Sequence, residues 1–78
     1  MVQAWAVEGG GVVVTMRVAG DPDTLLAVGL RPGGGGTWLR LPDDADPVVA
    51  RPDGSLLCRE RRDERLQLTT YQVLSTAS

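Results

Sequence analysis

The chain has 78 residues and a formal net charge of −2, with a single cysteine and no histidine. This excludes an internal disulfide and a zinc site of the Cys/His type, and the acidic balance gives no long-range attraction for nucleic-acid phosphates or anionic lipid headgroups. A chain this short has room for one core, so residues 1–78 are expected to form a single small domain; such a core alone supplies only about 3–5 kcal/mol, and association with copies of itself or with a larger partner is expected to add to it.

All eight basic residues are arginines, and lysine, isoleucine, phenylalanine and asparagine are missing. GC-rich codon usage explains that bias more simply than a structural demand, and it points to a GC-rich bacterium or a virus that infects one. Met1-Val2-Gln3-Ala4-Trp5 carries no basic patch followed by an apolar core, so a signal peptide is not expected. No apolar run approaches the roughly 18 residues of a membrane span, and a cytoplasmic protein at synthesis is expected, with a virion as a further setting.

Val2–Val7 is a β-compatible run that stops at Glu8 and the glycines Gly9 to Gly11, a hairpin signal. Val12–Ala19 is rich in β-branched residues. The two-residue period of a strand puts Val12, Val14, Met16 and Val18 on one face and leaves Thr15 and Arg17 on the other, which reads as wetter toward the strand's end. Asp21-Pro22-Asp23 is good helix-start chemistry, and Leu25, Leu26 and Leu30 could share a helix face. Gly29 weakens that helix, however, and a strand with Leu26, Val28 and Leu30 on one face is favoured, the short helix being the alternative.

Pro32 and Gly33 to Gly36 form a flexible connection to Thr37–Leu41, where Leu39 and Leu41 alternate with an outward Trp38 and Arg40. Pro42–Pro47 is a polar loop, Val48-Val49-Ala50 a short strand, and Arg51-Pro52-Asp53-Gly54 a turn in which proline presets φ and glycine accepts a positive one. Residues 55–74 read as a long hairpin with its charged tip near Asp63. An odd-numbered tip sets Cys58 opposite Leu68 and Leu56 opposite Thr70, and it is preferred to a two-residue tip that would set Arg59 and Arg61 opposite Leu68 and Leu66. The small, polar end, residues 75–78, has the composition of a frayed terminus or an arm. An echo of Trp5, Val18-Ala19, Pro22-Asp23 and Leu25-Leu26 in Trp38, Val49-Ala50, Pro52-Asp53 and Leu56-Leu57 is attributed to chance.

Catalytic chemistry has little to build on. Cys58 and Ser55 lack a histidine base, and Cys58 reads as a small apolar residue inside the hairpin. Asp43, Asp44 and Asp46, even with Asp21 and Asp23, have the wrong spacing for a calcium loop and read as solvated. The glycines at 33–36 lack the lysine of a phosphate loop. No cofactor and no metal are expected. Arg59, Arg61, Arg62 and Arg65 stand among Glu60, Asp63 and Glu64, which reads first as a salt-bridged tip and second as a contact for a protein partner. Trp38 and Tyr71 complete the candidate interface, since large aromatics anchor interfaces.

The expected fold is all-β, an antiparallel barrel or sandwich of about five to seven short strands. The expected function is non-enzymatic: a structural protein that self-associates or cements a larger particle, a virion shell for example. The alternative is a small binding or inhibitory module that caps one partner through Trp38 and the arginine hairpin.

Overall fold

Glycine and proline punctuation cuts the chain into short β-branched or leucine-rich runs, and each run becomes a strand. The computed structural model describes residues 2–42 and 44–74. Within them seven strands succeed one another: β1 (Val2–Ala6), β2 (Val12–Val18), β3 (Asp21–Leu30), β4 (Gly36–Leu41), β5 (Asp46–Ala50), β6 (Ser55–Arg62) and β7 (Arg65–Gln72). Among the described residues, no helix is long and apolar enough to cross a membrane. Asp43 of the acidic loop and the polar end, residues 75–78, lie outside the described residues.

The strands form two antiparallel sheets, β1-β2-β3-β4 and β5-β6-β7, each in chain order. Val13, Leu25, Ala27 and Leu41 of the first sheet and Ala50, Leu56 and Cys58 of the second belong to one buried cluster, so the fold is the expected all-β sandwich. Segment Asp21–Leu30 is a strand rather than the alternative helix, in register with β2 through Val14↔Val28 and Met16↔Leu26. Gly29, the residue that argues against the helix, serves a close approach here: a Cβ there would stand 2.6 Å from Cγ of Leu74, which crosses the sheet at that point. Leu74 and Val73 both donate their backbone N–H to the carbonyl of Gly54, at 3.0 and 3.3 Å, and the Thr37 hydroxyl donates to the Val73 carbonyl. The segment after β7 thus ties the β5–β6 turn to the first sheet. That turn is as expected, with Gly54 at φ 89° and its N–H donated to the Arg51 carbonyl at 3.0 Å.

One expectation is refined and another corrected. The face of β2 that carries Thr15 is wet only at its end, where Arg17 is exposed; Val13 and Thr15 are buried on it, while Val12, Val14 and Met16 are half-buried on the opposite face. The reason is long-range: this is the face that shares its buried cluster with Ala50, Leu56 and Cys58 of the other sheet. Small Thr15 and Ala27, neighbours in the register, let the two sheets approach. The β6–β7 hairpin has a two-residue tip, Asp63-Glu64, and sets Arg59 opposite Leu68 and Arg61 opposite Leu66. Both tip residues have positive φ, 50° and 66°, as in the type I′ turn whose twist matches that of the flanking strands. Leu66 and Leu68 therefore leave the core, and Thr69 and Tyr71 take the inward positions beside Cys58 and Leu56. The sequence echo has no structural counterpart: β1 pairs with β2, whereas β4 pairs with β3 and not with β5.

Candidate interaction surface

Strand alternation on β1–β4 creates a second face as apolar as the first. The pairing register aligns Val2, Met16, Leu26 and Arg40 across the sheet, then Ala4, Val14, Val28 and Trp38, then Ala6, Val12, Leu30 and Gly36. Arg40 is the one charged residue among them. Trp38, on edge strand β4, is 69 % exposed and Leu30 beside it 48 %. Val2, on the other edge strand, is also largely exposed, while Val14, Met16, Leu26 and Val28 between the edges are half-buried.

The outer face of the second sheet has a different chemistry. Leu66 and Leu68 are exposed there and alternate with Arg59 and Arg61 across β6 and β7. Arg59 donates to the Asp46 carboxylate at 2.7 Å, an exposed pair worth about 0–1 kcal/mol. That contact engages one acidic side chain of the loop expected to be solvated. Among the described residues, no group of three or more histidine, cysteine, aspartate or glutamate side chains stands close enough to hold a metal ion.

Arg62 and Arg65 pair at the hairpin tip, and the Arg62 guanidinium lies 4.0 Å from the Glu60 carboxylate. Glu60 is 1 % exposed, so its charge depends on donors. Tyr71 donates its hydroxyl to Oε1 and Thr69 donates to Oε2 at 2.7 Å. Those two hydrogen bonds, Tyr71 first, hold the carboxyl below its ordinary value, while burial works in the opposite direction. Burial, joined by the Glu60 carboxylate, pushes the Tyr71 hydroxyl up to about 12. The Cys58 thiol is pushed up to about 11, chiefly by burial and next by Glu60 and Asp46.

The candidate residues thus separate. Trp38 lies on the outer face of the first sheet and Arg59 and Arg61 on the outer face of the second, so they do not form one continuous contact. Arg62 and Arg65 occupy the tip, and Tyr71 is half-buried with its hydroxyl on Glu60. Leu30, Val28, Val14 and Ala4 on the outer face and Glu60 as a buried hub are not among the residues singled out from the sequence. Their signal is present: Val12–Val14 and Leu25–Val28 are apolar at both parities, as in strands whose two faces both await cover. A cleft of about 250 Å³ between Val7, Glu8, Arg31, Pro32 and Leu74 is smaller than the ~300–1,000 Å³ typical of small-molecule sites. Comparison with protein-family models, with curated proteins and with solved structures gives no match for this chain.

Proposed function

We propose that this chain is a non-enzymatic assembly module that works by holding protein surfaces together, either between its own copies or as cement in a larger particle such as a virion shell. The observation that carries the reading is the outer face of β1–β4, where the register gathers apolar side chains around Trp38 with Arg40 as the single charge. Monomeric proteins seldom leave contiguous apolar surface beyond a few hundred Å² uncovered, and larger patches mark interaction sites. A nucleophilic reading has nothing comparable to rest on. Cys58 is buried, burial keeps its thiol protonated at neutral pH, and the chain offers no histidine as a base.

A second reading, a module that caps one partner, draws on the other outer face, where Arg59 and Arg61 stand beside exposed Leu66 and Leu68. Arginine over apolar neighbours is the composition of many interface anchors.

Site-specific photo-crosslinking in the cells that express the protein separates these readings. A photo-reactive side chain at Trp38 is expected to give a discrete protein adduct that the same group at exposed Arg51 does not give. Adducts confined to a probe at Leu68 would favour the capping module, and no protein adduct at either position would remove the assembly reading.

A further inference from the structure

We propose that the outer face of β1–β4 is covered by the same face of a second copy, related by a two-fold axis that runs parallel to the strands. This rests on the assembly reading and names the occupant.

Strands apolar at both parities normally have both faces covered. Here the β5–β7 sheet packs on one face, and the other, with half-buried Val14 and Val28 at its centre, carries exposed Val2, Leu30 and Trp38. The chemistry of that face favours its own kind. It offers a partner one cation, Arg40, at the edge strand, so a charged surface would be desolvated against it without compensation, whereas an equally neutral surface would not.

Shape selects the axis. Across the middle of the face, residue size rises from Ala4 through Val14 and Val28 to Trp38. Turning a second copy over about an axis parallel to the strands reverses that taper, so that Trp38 of each copy lies over Ala4 of the other and Val14 lies over Val28. In this middle row the summed side-chain size is then even across the four strands, which suits the ~10 Å spacing of packed sheets. The same operation sends the two Arg40 side chains to opposite edges, each with its aliphatic stem over Val2 and its guanidinium in water. An axis running across the strands would stack Trp38 on Trp38 and leave Ala4 over Ala4, opening a wedge.

Size is sufficient. Four strands at ~4.8 Å and same-face residues every ~6.8 Å give a face of about 400 Å² in projection, and the relief of the side chains raises the accessible surface lost by both copies to on the order of 1,000 Å². That is where specific interfaces begin, and it corresponds to a reversible dimer rather than an obligate one.

The test is sedimentation of the full chain over a concentration series, with variants whose folding is checked by circular dichroism and thermal unfolding. The wild type is expected to dimerise reversibly. Ala4→Trp, at an exposed edge position, is expected to weaken the dimer about ten-fold or more by opposing two tryptophans, and adding Trp38→Ala in the same chain is expected to restore it. Arg59→Glu, on the other sheet, is expected to leave dimerisation unchanged. A wild type that stays monomeric at about 1 mM, where interactions as weak as ~4 kcal/mol become visible, would overturn the inference. An Ala4→Trp variant that dimerises more tightly would overturn the axis and with it the proposed pairing. A monomer that still yields a heterologous adduct at Trp38 removes the second copy and leaves the assembly reading standing; loss of both the dimer and every adduct removes the two together.

Discussion

Glu60 shows how one residue can matter more than its place in the sequence suggests. A carboxylate in the middle of a charged run has the look of a solvated group, yet it is buried and ionised because Tyr71 and Thr69 donate to it. Hydrogen bonds to a charged, buried group are worth about 1.5–3 kcal/mol, and Tyr71→Phe is expected to destabilise the domain by that amount in urea denaturation. A loss below about 0.5 kcal/mol, the scale of ordinary surface changes, would mean that water replaces the phenol. The pH dependence follows from the directions of the shifts. Glu60 is lowered from 4.5, so its contribution is present above that value and is lost as pH falls through the folded-state value. Cys58 and Tyr71 are raised from 9.0 and 10.0 to about 11 and about 12. Their contributions are present below the ordinary values and are lost as pH rises through the raised ones. Urea midpoints are therefore expected to be flat around neutrality and to fall on both sides, with a shallower alkaline fall in Tyr71→Phe. An unchanged alkaline fall in that variant would place the loss elsewhere.

At the scale of elements, the β6–β7 hairpin shows which local rule prevails. Matching leucines to the Cys58 face favours an odd-numbered tip, but the two-residue turn twists as the strands do and delivers Thr69 and Tyr71 to Glu60. The cost falls on Glu64, which adopts φ 66° where a side chain crowds its own carbonyl. Glu64→Gly is expected to stabilise the domain by about 0.5–1 kcal/mol, net of the extra entropy glycine brings to the unfolded chain, and a thermal melt measures it. A lower melting temperature would show that the Glu64 side chain supplies a contact that outweighs the backbone strain. Hairpin boundaries elsewhere were legible because glycine and proline mark them. The side of each strand that becomes the core was not, since β2 and β3 are apolar on both.

The whole molecule has a flat outline of 40 × 28 × 16 Å, and each of its two sheets presents one outer face. One outer face is nearly uncharged and the other carries Arg59 and Arg61 among leucines, so the two differ in their response to salt. Association through the Trp38 face is expected to be insensitive to added sodium chloride and strengthened by sulfate, because it depends on apolar burial. Association through the arginine face is expected to weaken as salt rises. Sedimentation at low and high salt reads the difference, and a Trp38-dependent dimer that dissociates in sodium chloride would contradict this assignment.

The sequence by itself determined the all-β class, the preference for strand over helix at Leu25–Leu30, the Arg51–Gly54 turn and the outward direction of Trp38. All of these follow from backbone preferences and two-residue alternation within a few neighbouring residues. Only the tertiary structure decided that Val13 and Thr15 rather than Val14 and Met16 face the core, that Glu60 is buried with Tyr71, and that Trp38 and the arginine hairpin lie on opposite outer faces. Those outcomes depend on which sheet covers which face, a long-range choice in which two local patterns of equal hydrophobicity are separated by packing and hydrogen-bond satisfaction across the sandwich.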